Sequence, residues 1–194
     1  MVLLACALPA WAAAPAPGPS LAPAVDVRVE RVAGTEGGKV YRIGASGAVA
    51  ATPAAAWRTL TDYAHLADFV PGLTRARVVS RDGDTVIVEQ QGTASFLIFS
   101  QPIRLVVRVH EQMREQMREQ APSRIDIGLV EGDMKVYRAS WELVPQPGGT
   151  GTKVVYYAAI EPQFYVPAMI GTTLVRKDIA RMMAAVLSRM ERQE

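Results

Sequence analysis

Apolar and polar positions alternate along most of this chain, and only near its end does the period lengthen into that of a long helix. Val25, Val27 and Val29 alternate with Asp26, Arg28 and Glu30, the pattern of a half-buried strand. Lys39 to Ala50 predicts a second strand, with Tyr41, Ile43, Ala45, Gly47 and Val49 on one face. Its small residues Gly44 to Ala48 imply that something approaches closely there or that space is left open.

From Thr52 to Leu66 the period becomes helical. Thr52 suits an N-cap and Pro53 the first helical position, with Ala56, Trp57, Leu60 and Tyr63 on one face. A second short helical piece, Ala64 to Phe69, ends at Val70-Pro71-Gly72. Strands then resume. Arg77 to Arg81 leads through the Asp82-Gly83-Asp84 turn to Val86–Thr93, followed by Phe96–Ser100 and Ile103–His110, with Pro102 marking a bend or an edge. In Arg124–Val130, Ile125, Ile127 and Leu129 share a face. Tyr137, Ala139, Trp141 and Leu143 share one in Met134–Val144, as do Val154, Tyr156, Ala158 and Ile160 in Lys153–Glu161.

The last stretch, Tyr165 to Glu194, places Met169, Ile170, Leu174, Val175, Ile179, Met182, Met183, Val186, Leu187 and Met190 at steps of three and four. Pro167 fits its first turn, and Arg176, Lys177, Asp178 and Arg181 mostly occupy the opposite side. A helix with that apolar face needs a broad surface to lie on. Consecutive hairpins supply an antiparallel sheet, so the class is α+β, with a twisted sheet curling round one long C-terminal helix and two short helices early in the chain.

Composition sets the scale. The chain has 194 residues, 49% of them hydrophobic, enough for one domain with a real core, and a net charge of +2 that gives no nucleic-acid-binding tail. No segment of the mature chain is long and apolar enough to span a membrane. Residues 1–14 read as a signal peptide, with apolar Val2 to Leu8 and small residues through Ala14, although no basic start precedes them. The competing reading is an Ala/Pro-rich tail. Residues 15–24 form a flexible lead-in and residues 25–194 the domain. The exported protein is expected in the periplasm. Cys6 lies inside the signal, so the mature chain has no thiol, and lipid anchoring through Cys6 is the lesser alternative. Glu111 to Gln120, EQMREQMREQ, is a short tandem repeat between two strands. It is either a solvated loop tip or a partner-binding finger with Met113 and Met117 on one face.

The local motifs resemble one family. They are Trp57-Arg58-Thr59-Leu60-Thr61-Asp62-Tyr63, Phe69-Val70-Pro71-Gly72-Leu73, Phe96-Leu97-Ile98-Phe99-Ser100, Val130-Glu131-Gly132-Asp133-Met134 and Ser140-Trp141-Glu142-Leu143. Pro162-Gln163-Phe164-Tyr165-Val166-Pro167 and Leu174-Val175-Arg176-Lys177-Asp178-Ile179 complete the set. Their order, over about Val40 to Arg192, resembles the START-like (SRPBCC) superfamily and its polyketide cyclase/dehydrase and coenzyme-Q-binding branch. The resemblance implies a helix-grip fold holding a hydrophobic molecule, a lipid, quinone or polyketide, between the long helix and the concave sheet. Phe69, Val70 and Phe99 would then border the entrance. Leu105, Val107, Ile127, Tyr137, Trp141 and Tyr156 would form the sheet wall, and Met169, Leu174, Met182 and Met183 the helix wall. Any solid core would show the same inner face. The methionines along the helix and Gly128 favour a cavity, and Gly171 implies a kink or close contact beside its mouth.

Little in the sequence points to catalysis. His65 and His110 are the only histidines and have no neighbours at metal-ligand spacing. No metal or cofactor is expected. Asp62 and Asp68 suit capping or ion pairs as well as acid–base work, and a cyclase would have to use Tyr137, Tyr156 or Arg176. Binding of a hydrophobic small molecule is therefore expected ahead of a cyclase or dehydrase. A protein-partner module using residues 111–120, or Arg75, Arg77 and Arg81, comes third.

Overall fold

Eight strands pair antiparallel throughout in the order β1-β2-β8-β7-β6-β5-β4-β3. The strands are β1 (Val25–Ala33), β2 (Lys39–Val49), β3 (Leu73–Asp82), β4 (Thr85–Phe96), β5 (Phe99–Gln112), β6 (Ser123–Gly132), β7 (Met134–Pro145) and β8 (Thr152–Pro162). Helix α1 (Pro53–Thr61) and a 3-10 helix (Tyr63–Asp68) follow β2, and α2 (Gly171–Glu191) ends the chain. This computed structural model describes residues 24–34, 37–96, 99–113, 123–149, 151–164, 166 and 171–192. The expected signal peptide and most of the tandem repeat, with Met169, lie outside the described residues, as does the side chain of Phe99.

The topology follows from short connections. β3 to β8 form a meander of hairpins, while β1 and β2 form their own hairpin and join through β2 to β8. Thr52 caps α1 as its composition implies, its hydroxyl accepting from the Ala55 N–H at 3.2 Å. The predicted second helix is the 3-10 helix, starting one residue before Ala64. The segment predicted as Phe96–Ser100 is divided between two strands, since Phe96 ends β4 and pairs with Phe99, which begins β5; from there β5 runs unbroken through Pro102 to Gln112. Pro102 pairs with Thr93 of β4, whereas β6 reaches β5 only from Leu105 onward, so the proline sits where β5 has a neighbour on one side alone.

Alternation sorts the two faces of the sheet. Val86, Val88, Val107, Val109, Ile125, Leu143 and Val154 point inward and are almost fully buried. α2 packs over β1, β2 and α1, burying Met183, Val186, Leu187 and Met190, while Val175, Ile179 and Met182 stay half-buried. The helix is thus dry core over its C-terminal half only. Small residues let it approach closely. A Cβ on Gly47 would lie 2.4 Å from Leu187 Cδ1, and one on Gly171 would lie 2.2 Å from the Tyr41 hydroxyl. Of the two meanings open to Gly44–Ala48, close approach holds at Gly47.

The outer face is laced with ion pairs. Glu89 accepts from Arg77 and from Arg104 Nε at 2.6 Å, and Arg104 also reaches Glu131 at 2.9 Å. The hydrogen bonds from Arg104 and then Arg77 hold the Glu89 carboxyl below its ordinary value of 4.5. A depressed native pKa contributes stability that is complete above the ordinary value and is lost as pH falls through the native one. Glu89→Gln is therefore expected to lower the thermal midpoint at neutral pH and to flatten its decline below about pH 4.5. Thermal melts of both proteins across pH check this, and parallel acid limbs would refute it.

Glu111, the first residue of the tandem repeat, belongs to β5 and not to a loop. It accepts from the Tyr63 hydroxyl at 2.8 Å and from Arg81 at 3.0 Å, tying the 3-10 helix to β3 and β5. Burial, then the bond to Glu111, raises the Tyr63 pKa far above the usual phenol range. Arg77 and Arg81 are likewise used within the domain. That leaves only exposed Arg75 of the three arginines considered for a partner.

Candidate functional site

Because α2 lies toward the β1–β2 end, the sheet's inner surface beyond it is not filled by the helix. A cavity of about 360 Å³ remains between the middle of α2 and the sheet. Its sheet wall is made by inward positions of four strands: Ile103 and Leu105 of β5, Tyr137 of β7, Tyr156 and Ile160 of β8, and Ile43 of β2. Ile179 and Met182 of α2 face them, and the Val70–Leu73 loop closes one side. Gln90, Gln91 and Thr93 of β4, with Asp178 and Arg181 of α2, supply its polar parts. Asp178 and Arg181 form an ion pair with each other one helical turn apart.

The two tyrosines are the chemically distinctive groups. Desolvation raises the pKa of Tyr137, and it raises that of Tyr156 further, where the neighbouring Tyr137 adds to the effect. Both phenols are neutral at physiological pH, and their hydroxyls are coupled to one another. Trp141 stands behind Tyr156 with ring centroids 4.5 Å apart and planes at 44°, fixing that ring from the core side. The walls can hold an apolar body, and the phenols can offer a hydrogen bond to one oxygen on it.

Of the residues expected to form the cavity, Val70, Leu105, Tyr137, Tyr156 and Met182 line it. Val107, Trp141 and Met183 do not line it and belong to the packed core. Ile127 also lies outside it, facing inward beside Val109 and Ala139 and packing against the core. Phe69 packs on the core with the Arg189 guanidinium 5.8 Å from its ring centroid, and Leu174 is half-buried away from the cavity. Phe99 and Met169 fall outside the described side chains. Gly128, expected to open this cavity, faces the opposite side of the sheet, paired with Arg108 and Arg138. Arg176 is exposed and does not line the cavity, which leaves Tyr137 and Tyr156 as the candidates for acid–base work.

The sequence reading missed Ile43, Ile103, Ile160 and Ile179, although Ile103 is one alternation step from Leu105, Ile179 is about one helical turn from Met182, and Ile160 pairs across the strands with Tyr137. Of the histidines, His65 is exposed and bonded to Asp62 at 2.7 Å, and His110 lies on the outer face. No group of three His, Cys, Asp or Glu side chains suited to a metal occurs among the described residues, and no described helix is long and apolar enough to cross a membrane.

Comparisons with known proteins agree with this architecture. The chain is similar to human StAR-related lipid transfer protein 5, with a TM-score of 0.67 and 14% identity over 89% of this chain and 88% of that one. It is similar to a STAR-related lipid transfer protein from Xanthomonas axonopodis, with a TM-score of 0.63 and 14% identity over 84% and 98% of the two chains. An aromatase/cyclase from a Streptomyces species gives a TM-score of 0.60 and 12% identity over 78% and 92%. At such identities the likeness shows the shared helix-grip fold. No curated protein sequence matches the chain. The family model described as polyketide cyclase / dehydrase and lipid transport matches residues 49–187. With most of its length covered by that model, the chain belongs to this START-like family.

Proposed function

We propose that the protein binds a compact hydrophobic molecule of the lipid, quinone or polyketide class, bearing an oxygen that Tyr137 or Tyr156 orients. One observation carries this reading: an apolar cavity of about 360 Å³ with two neutral phenols on its wall. Ligand pockets commonly run from about 300 to 1,000 Å³, so this one is at the small end. A ring system or a single short chain suits it better than a two-chain lipid. The half-buried Met182 and Ile179 can adjust to the shape of the occupant. In the same reading the chain is exported and residues 1–14 are removed.

A cyclase or dehydrase is the second reading, favoured by the tyrosines standing in one cavity with Asp178 and Arg181. Native mass spectrometry of protein purified from its host tests the first reading, because a hydrophobic adduct should be carried with the chain. The intact mass also reports whether residues 1–14 are gone. Tyr137→Phe separates the two readings. A binder should lose about tenfold in affinity at most, the worth of one hydrogen bond of ~1 kcal/mol. An enzyme should lose turnover while keeping its ligand. Protein that arrives empty and rejects a panel of lipids, quinones and polyketides would overturn the binding proposal.

A further inference from the structure

The outer face of the sheet carries a second hollow, of about 720 Å³, on the side away from α2. One cross-strand row builds it. Arg108 of β5 pairs with Gly128 of β6, Gly128 with Arg138 of β7, Arg138 with Ala159 of β8, and Ala159 with Arg42 of β2. Neighbouring strands lie about 4.8 Å apart, so the arginines stand roughly 10 Å from one another with a small residue in each gap. Nothing lies within 4 Å of where a Cβ on Gly128 would be. In the next row Tyr157, 50% exposed, pairs with Ser140 beside the slot over Ala159.

These three arginines share one row and, like Arg75 at the sheet's edge, are held by no described carboxylate. Elsewhere Arg77 and Arg104 share Glu89, Arg81 holds Glu111, and Arg124 holds Asp126 and Glu142. Arg42, Arg108 and Arg138 are exposed and make no ion pair with any described residue. Asp126, the carboxylate on the rim, is already taken by Arg124 Nε at 2.9 Å. Glu30 lies opposite Arg42 in register but makes no ion pair with it. Three guanidinium forks round an open floor match the oxygens of phosphate groups, which accept paired hydrogen bonds. The recess between them admits a group that projects inward, and the exposed Tyr157 ring can cover an apolar portion.

We infer that this hollow is a second binding site, for a phosphate-bearing polyanion held in the slots over Gly128 and Ala159. Arg138 flanks both slots and is its central contact. The site is separated from the inner cavity by the thickness of the sheet and does not depend on what that cavity holds.

Calorimetric titration of the full chain with pyrophosphate in low salt is the first test. Saturable binding is expected, reduced about tenfold or more by Arg138→Gln, since hydrogen bonds to charged groups each contribute on that scale. Gly128→Leu should also weaken it by filling a slot without altering charge, and Arg75→Gln should leave it unchanged. The phosphate could belong to a free molecule or to a lipid headgroup, and flotation with phosphatidylglycerol vesicles distinguishes them. Vesicle capture that pyrophosphate competes away assigns the headgroup, and pyrophosphate binding without capture assigns a free ligand. Failure of both probes overturns the inference. So does pyrophosphate binding that Arg138→Gln and Arg75→Gln weaken equally, because that would be diffuse attraction to a basic surface.

Discussion

Met182→Trp is expected to cost the protein more than tenfold in affinity for its hydrophobic ligand while leaving the fold intact. Met182 is half-buried and borders the cavity, so a larger ring at that place grows into the void instead of into packed neighbours. Its chain neighbour Met183 is fully buried in the core. The same change there should overpack the core and destabilise the domain by ~1–3 kcal/mol. The pair of variants therefore separates cavity wall from core on adjacent residues. Displacement of a bound fluorescent fatty acid or quinone probe, read beside thermal melts, checks both halves. Undiminished binding by Met182→Trp would place the ligand elsewhere.

Gly132→Ala is expected to be among the most damaging single substitutions in the chain, at about 3 kcal/mol or more. Gly132 has φ 133°, a conformation a side chain resists, and its Cβ would fall 2.2 Å from the Arg104 carbonyl oxygen and 2.8 Å from Leu105 Cα. These neighbours are backbone and have nowhere to go. The Arg104 N–H donates to Asp133 Oδ2 at 2.7 Å, the Asp133 N–H donates to the Arg104 carbonyl at 3.0 Å, and Gln163 Nε2 donates to the Gly132 carbonyl at 3.0 Å. Alanine would force the β6–β7 turn off β5 and break that strapping. Leu105 and Met134 line the cavity on either side of it, so ligand affinity should fall together with stability. Urea unfolding measures the first effect, and a loss below about 1 kcal/mol would refute the account.

Strand faces were legible because a half-buried antiparallel sheet writes its two sides into alternate residues. Tyr41 and Ile43, Tyr137 and Trp141, and Val154 and Tyr156 all point inward as their alternation requires. The same rule, applied one residue further, places Gly128 outward, since Ile127 and Leu129 flank it. Which inward residues meet a void was not legible. Val107 and Ile103 share one face of β5, yet only Ile103 reaches the cavity. The difference is set by where α2 crosses the sheet, and that depends on fits such as Gly47 against Leu187, which no local period records. The place of Glu111 in the sheet is not legible for a related reason: its partners, Tyr63 and Arg81, are far away in sequence, and only the fold brings them to it.

The register of β3 against β4 shifts twice, between Leu73 and Arg75 and between Val78 and Ser80. β3 ends the sheet, and it leaves Val78 and Val79 42% and 50% exposed. Two adjacent exposed valines on a straight outer strand would invite another extended chain to add itself by backbone pairing, the first step of aggregation. The shifts bend the strand out of the regular spacing such an addition needs, and Arg75, Arg77 and Arg81 place charge along the same border. The irregularity in β3 thus marks where the sheet stops growing.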